Sequence, residues 1–180
     1  MRYTAIADVS RALTEMIRAN TVPELIDKPD SIGLCSPAAP GDFKLGIYLY
    51  NVEESESYRI SGRQNEALHT QRFPPIVLDL YYMITPYYKS DVKFLALEEQ
   101  TILGKVIQLI NDNSTIYSES GEAVSLELLR VTEDDKQKIW VGSNPYRTSV
   151  FISARAVVME STKQKQVSRV TEITIKADTK

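Results

Sequence analysis

The sequence is short of the residues on which most catalytic and metal sites depend. Its 180 residues include one cysteine, Cys35, and one histidine, His69. A lone cysteine forms no disulfide within the chain, and one His with one Cys makes no His/Cys metal cluster. No acid or nucleophile is arranged beside His69 in the sequence, so we interpret it as a solvated loop residue. We predict a non-enzyme without catalytic residues, cofactor or metal.

Long apolar runs and an excess of positive charge are also missing. No window approaches the roughly 20 apolar residues that cross a bilayer, and the first residues contain no apolar core of a signal peptide. The net charge of -3 gives no electrostatic reason to expect nucleic acid. We therefore expect synthesis and folding in the cytoplasm, no membrane span and no nucleic-acid partner.

What the chain does contain is a set of strand-like segments, of which 139–160 is the longest. It begins next to the only tryptophan, Trp140, passes a Gly-Ser-Asn-Pro turn and then runs without Gly or Pro. This pattern predicts the central strand of a sheet. Alternation places one apolar set on the core face: Val150, Ile152, Ala154, Ala156 and Val158.

Two further strands are predicted over Lys44–Glu53 and Pro75–Thr85, with shorter ones at 32–34 and 124–131. In Lys44–Glu53, Leu45, Ile47 and Leu49 share one face and suit the core. The other face, which carries Tyr48 and Tyr50, suits either a second core layer or a subunit contact. Both interpretations stay open from the sequence.

Apolar residues at helical spacing predict two main helices, Ala5–Asn20 and Leu95–Asn111. Thr4 is the expected N-cap of the first. Gly104, inside the second, costs about 1 kcal/mol relative to Ala, which suggests close backbone packing there. The predicted stripe of the second helix is Leu95, Ile102, Leu103, Val106, Ile107 and Ile110.

A third, short helix is predicted from Thr132 towards Trp140. Thr132 is placed to cap it, and Glu133, Asp134 and Asp135 follow in its first turn. We interpret these carboxylates as matching the helix dipole and not as a metal site.

Two segments lack a clear place in this core. Residues 54–73 are polar and without periodicity, which predicts a surface loop. Residues 161–180 begin polar and then become rich in β-branched residues. They form either an edge strand of their own sheet or an arm that adds a strand to a neighbouring subunit.

The predicted fold is one α/β (α+β) domain, 1–160, with a mixed, mostly antiparallel sheet against two main helices.

Six phrases in a fixed order resemble one known family over roughly Ala5 to Glu160. They are IADVSRALTEMI, LCSP, LGIYLYNVEE, PPIVLDLYYMITPY, EEQTILGKVIQLINDN and LRVTEDDKQKIWVGSNPYRTSVFISARAVVME. Their order and spacing are similar to the tail-terminator or cap proteins of phage-tail-like contractile injection systems. The excursion 54–73 and the segment after Ser161 carry no such pattern.

The resemblance implies a phage tail-terminator-like fold and a structural role without catalysis. Such a cap forms a homo-hexameric ring, closes the distal end of the inner tube and sheath, ends their polymerisation and couples the two. Its partners are the tube and sheath proteins of the same particle, which can be released from the cell. Trp140, Pro145, Tyr146 and Arg147 match the family pattern and are expected to form a corner before the central strand.

We predict partner contacts at exposed aromatic residues and along the C-terminal segment. An alternative function is a non-catalytic adaptor or ligand-binding module that uses loop 54–73 and exposed tyrosines. An enzyme built on dispersed carboxylates is disfavoured by the near absence of His and Cys. The predicted contact residues are Tyr48, Tyr50, Tyr87, Tyr88, Tyr146, Arg147, Val167, Val170, Ile173 and Ile175.

Overall fold

The structure, a computed structural model, describes residues 3–67, 70–88, 92–119, 121–140 and 146–166, and of residues 66, 67 and 92–94 only the backbone. Three α-helices lie within these ranges: α1 (Ala5–Thr21), α2 (Val92–Asp112) and α3 (Glu133–Trp140). The strands there are β1 (Ile32–Leu34), β2 (Leu45–Glu54), β3 (Gln64–Ala67), β4 (Thr70–Arg72), β5 (Ile76–Pro86), β6 (Thr115–Tyr117), β7 (Ala123–Leu128), β8 (Val150–Met159) and β9 (Gln164–Gln166).

The strands form one large and one small sheet. The six-stranded sheet has the order β1-β2-β5-β8-β7-β6, and β1 with β2 is its one parallel pair. The small sheet has the order β3-β4-β9 and is antiparallel. β8 lies between β5 and β7, so its predicted central place is confirmed. The mixed, mostly antiparallel α+β fold is confirmed as well.

The two faces of the large sheet carry two different cores. One face packs against α1 and α2 through aliphatic side chains such as Leu13, Val106 and Ile47. The opposite face carries a smaller cluster in which Met83, Tyr87, Trp140 and Phe151 are buried. The domain therefore has three layers: the helix pair, the sheet and an aromatic layer.

The main helices form where periodicity predicts them, with local differences. Thr4 stands at the start of α1 but makes no capping hydrogen bond: its own backbone is helical, with φ of -79° and ψ of -8°, and its hydroxyl donates to the Asp8 carboxylate over 2.9 Å. Ile107 is 42% exposed instead of lying in the stripe, while Leu109 is buried. The inference that Gly104 marks close packing is wrong, since a Cβ there would meet nothing within 4 Å.

The cap of α3 is as predicted. The Thr132 hydroxyl oxygen accepts a hydrogen bond from the Asp135 N–H over 3.3 Å and donates to the Asp135 carboxylate over 2.7 Å. This pair satisfies one of the free N–H groups at the helix start. The last residue of the described helix is Trp140, whose side chain is buried.

A β-bulge changes the predicted alternation of β8. Leu78 pairs with Val157 and Leu80 with Ala154, so two residues of β8 stand opposite one of β5. The bulged Ala156 has φ of 63°. The extra residue reverses the two faces beyond it, and Val157, not Val158, joins the core. The prediction that Ala156 and Val158 share the core face is therefore wrong.

The prediction of an unstructured loop over 54–73 is wrong for residues 64–67 and 70–72. They form β3 and β4, and β4 also pairs with β9. The sequence did not reveal these strands because most of their described side chains are exposed or half-buried and polar, so no apolar alternation arises. His69 and the segment 167–180 lie outside the described residues.

Candidate functional site

The described part of the chain offers three kinds of candidate binding surface: the aromatic layer, the clefts and the open strand edges. Among these residues no three His, Cys, Asp or Glu side chains are grouped so that they suit a metal ion. None of the helices described is long and apolar enough for a membrane crossing.

The aromatic layer holds three of the predicted contact tyrosines. Tyr48 and Tyr50 are half-buried, and Tyr87 is 7% exposed. The Tyr50 ring meets that of Phe151 edge-on at 5.9 Å and that of Tyr81 at 6.2 Å. Burial, with the nearby charges of Tyr81, Glu53 and Asp135, raises the pKa of Tyr50 to about 12. These rings thus pack within the aromatic layer, and a subunit contact at the half-buried Tyr48 and Tyr50 stays a prediction.

The described residues of the corner expected before β8 contact each other and neighbouring elements. The Trp140 and Tyr146 rings lie 5.7 Å apart. Arg147 Nη1 donates to Glu99 Oε1 of α2 over 2.6 Å, and its guanidinium lies 5.6 Å from the Tyr87 ring centroid. This corner ties β8 to α2 and to the aromatic layer. Pro145 lies outside the described residues.

The other predicted contact residues differ in their surroundings. Tyr88 lies against the helix-side core, and its hydroxyl donates to the Leu25 carbonyl over 2.7 Å. Tyr146 is 52% exposed, which leaves part of its ring for a partner. Four predicted contacts lie outside the described residues: Val167, Val170, Ile173 and Ile175.

The small sheet lies at the end of the large sheet where β5 begins and β8 ends. Phe73 lies just before β5 and makes two cation–π contacts. The Arg63 guanidinium lies 4.9 Å from its ring centroid, and the Lys163 ammonium lies 4.6 Å from it. Arg72 also binds Glu160 over 2.9 Å. Among the described strands, β3 and β9 each pair on one side only. Such open edges can accept a strand from another chain.

A cleft of about 610 Å³ lies at the other end of β5, beside the start of α2. It is within the usual size range of binding pockets, roughly 300–1,000 Å³. Leu97 lies on its wall and is 65% exposed. Sequence reasoning missed this site, although Leu97 was a signal: it is a large apolar residue outside the predicted stripe of its helix. The cleft lining is Glu24, Leu25, Asp27, Asp42, Phe43, Lys44, Tyr87, Tyr88, Leu97, Glu98, Thr101 and Ile102.

Two of the solved structures that share this fold are a terminator and a cap. One is the PVC sheath/tube terminator of an extracellular contractile injection system in its extended state, with a TM-score of 0.74 and 17% identity over 97% of this chain. The other is the tube-terminating cap of the anti-feeding prophage, with a TM-score of 0.69 and 18% identity over 95% of this chain. The match spans 64% and 61% of those chains, respectively.

The family comparison covers most of the sequence. No curated protein matches it significantly. Residues 8–172, however, match the family described as the Pvc16 N-terminal domain. This confirms the family resemblance predicted from the ordered phrases. By this match, the chain belongs to the Pvc16 N-terminal domain family.

Proposed function

We propose that this protein is a structural cap, or tail terminator, of a contractile injection system. It forms a ring on the distal end of the inner tube and sheath, ends their polymerisation and couples one to the other. The observation that carries the proposal is the structural match of 97% of the chain to a sheath/tube terminator, together with its place in the Pvc16 N-terminal domain family. The role needs binding surfaces and no reacting groups.

The ring is a homo-hexamer, and its partners are the tube and sheath proteins of the same particle. The domain, 1–160, supplies the body, and 161–180 is a β-prone arm. The position of β9 at the open side of the small sheet supports an arm that begins as an edge strand. The exposed part of Tyr146, next to the Arg147 corner, supports a partner contact on the aromatic side.

The protein folds and assembles in the cytoplasm and becomes part of a particle that can be released from the cell. No observation on the described surface favours the adaptor alternative over the cap. The clefts and half-exposed tyrosines suit a subunit interface as well as they suit a ligand.

Imaging of particles made with and without the gene tests this function. Tube length and the state of the distal end are scored by negative-stain electron microscopy, and symmetry averaging of the ends gives the number of copies. Without the protein, tubes are expected to be overlong, open-ended or missing, and re-expression is expected to restore normal ends. Normally capped particles without the gene would remove the capping role.

A further inference from the structure

One face of the small sheet carries two cations with an aromatic ring between them. Continuing the register of β3, β4 and β9 by one residue places Arg63 and Lys163 on either side of Phe73. The contacts of both cations with the Phe73 ring agree with this register, and the Phe73 N–H donates to the Lys163 carbonyl over 3.0 Å. Because directly opposite residues share a face of a sheet, the three side chains form one row.

A second row lies beside the first. Asn65 and Lys165 stand opposite Gln71, and Gln71 Nε2 donates to Asn65 Oδ1 over 3.1 Å. Alternate residues of a strand share a face, so both rows belong to the same side of the small sheet. We call this surface the basic face, and its residues are Arg63, Asn65, Gln71, Phe73, Lys163 and Lys165.

The described carboxylate beside the small sheet is engaged on its other side. Arg72 alternates with the residues of the basic face, so it points away from them, and it binds Glu160 over 2.9 Å. Arg63, Lys163 and Lys165 are exposed, and none of the three forms an ion pair with a carboxylate of the described residues. The basic face therefore carries three positive charges that this part of the chain does not neutralise.

The two cations of the Phe73 row repel each other. Their charged groups lie 4.9 and 4.6 Å from the same ring centroid. They are therefore closer together than one Debye length, which is about 10 Å at 0.1 M salt, so solvent ions screen the repulsion only in part. The ring attracts both cations without neutralising either. An anionic group that approaches this row gains two attractions and offsets the repulsion.

We propose that the basic face binds an extended acidic segment of another protein of the particle. Lys163 precedes β9 and Lys165 lies in it, two residues further on, so the two side chains start about 7 Å apart. Carboxylates on alternate residues of an extended chain have the same spacing. Arg63 lies two strands away, about 10 Å from Lys163, where its guanidinium can bind a further carboxylate. The proposal deepens the cap function, on which it rests, by giving the chemistry of one partner surface.

Nucleic acid fits the basic face less well than an acidic segment does. Proteins that hold single strands combine a cationic groove with aromatic rings on which the bases stack. Phe73 is half-buried and both cations lie against its ring, so it presents no open ring for a base. Three cations are also few for this purpose, because affinity for nucleic acid depends on how many phosphates are neutralised.

Peptide binding to the full-length protein tests the proposal. Fluorescence anisotropy measures the affinity for a labelled peptide of alternating Glu and Thr, and a peptide of alternating Gln and Thr is the uncharged probe. The triple variant Arg63→Gln, Lys163→Gln, Lys165→Gln should weaken binding of the Glu peptide about tenfold, since each exposed ion pair contributes a few-fold. The variant that keeps the charges, Arg63→Lys, Lys163→Arg, Lys165→Arg, should bind nearly as well as the wild type.

The matched control removes the same charge from exposed positions outside the basic face: Lys28→Gln, Arg130→Gln, Lys138→Gln. Its affinity for the Glu peptide should stay close to that of the wild type. An equal loss in both triple variants would show that only the net charge matters and would overturn the proposal. A wild-type protein that binds the Glu peptide no better than the Gln peptide would overturn it as well. Tighter binding of a single-stranded oligonucleotide than of the Glu peptide would replace the acidic segment by nucleic acid.

Particle assembly separates this proposal from the cap function. The basic-face triple variant should enter particles several-fold less than the control triple variant, as measured by immunoblots of purified particles. Equal incorporation of the two would overturn the role of the basic face. Normally capped particles without the gene would remove the cap function, whereas uncapped particles without the gene, together with no binding of the Glu peptide, would overturn this proposal alone.

Discussion

The carboxylate of Asp79 on β5 accepts a hydrogen bond from the backbone N–H of Ala156 on β8 over 3.3 Å. Asp79 is 8% exposed, and Ala156 is the bulged residue with φ of 63°. A left-handed conformation costs a non-glycine residue about 1–2 kcal/mol. The carboxylate thus supplies an acceptor where the bulge interrupts the ladder of the two central strands.

Replacing Asp79 by Ala should lower the free energy of unfolding by about 1–3 kcal/mol, because the Ala156 N–H loses its acceptor. Chemical denaturation with urea measures the change. Ala156→Gly is the matched variant at the same bulge: glycine adopts this φ freely, so stability should be unchanged or up to about 1 kcal/mol higher. An Asp79→Ala protein as stable as the wild type would show that the bond contributes nothing to the bulge.

Replacing glycine by alanine should change the stability of the protein in opposite directions at two positions. At Gly46 an added Cβ would overlap the Cys35 sulfur and lie 2.7 Å from the Tyr87 ring, so Gly46→Ala should cost about 1–3 kcal/mol. At Gly104, in the exposed side of α2, the same change should stabilise by about 1 kcal/mol through helix propensity. Thermal melts of both variants provide the comparison. A loss at Gly104 as large as that at Gly46 would contradict the described packing.

Trp140 should behave as a core residue. It is 5% exposed and packs in the aromatic layer, so Trp140→Ala should cost about 3–5 kcal/mol. Its indole N–H has no hydrogen-bond partner in the described structure, so Trp140→Phe should cost less than half as much. Urea unfolding of both variants measures the two costs. A Trp140→Ala protein of nearly wild-type stability would instead place the ring at an interface.

The Arg147–Glu99 pair should make stability depend on pH. Burial raises the pKa of Glu99, while Arg147 opposes that rise. Arg147→Met removes the opposing charge, so it should cost about 1–3 kcal/mol at pH 7, where Glu99 is ionised. Because the folded-state pKa lies above the unfolded value, the penalty of the ionised carboxyl is present at neutral pH and disappears as pH falls below the unfolded value.

The cost of Arg147→Met should therefore shrink at pH 4 relative to pH 7, as measured by urea unfolding of variant and wild type at both values. Arg147→Met in a Glu99→Gln background is the control, and there the cost should vary little with pH. An equal cost at both pH values with Glu99 present would show that the carboxyl is not the partner that matters.

Deleting residues 167–180 should leave the domain folded, because the described core lies before Gln166. The melting temperature should change by only a few degrees, while incorporation into particles should fall. Immunoblots of purified particles measure incorporation. Full incorporation of the shortened chain would rule out a role for the arm in attachment.

Local patterns in the sequence anticipated much of this fold. Alternating residues placed β2, β5 and β8, and helical spacing placed α1 and α2, because each element has one strongly apolar face. The Thr132 cap was visible because it depends on neighbours within three residues. The ordered phrases also indicated the family, which the match over 8–172 confirms.

Features that depend on distant neighbours were not visible. The sequence left Tyr48, Tyr50 and Tyr87 between core and interface, since a tyrosine suits either place until α3 is packed over the sheet. The polar strands β3 and β4 carry no apolar alternation, and the pairing of β4 with β9 joins residues almost a hundred positions apart.

By itself, then, the sequence determined the main helices, the long strands of the large sheet and the family that they resemble, because those properties follow from local periodicity and phrase order. Only the tertiary structure decided where the bulge at Ala156 exchanges the two faces of β8 and how a cleft forms beside Leu97. Both arise from contacts between segments far apart in the chain, whose register and packing no local pattern specifies.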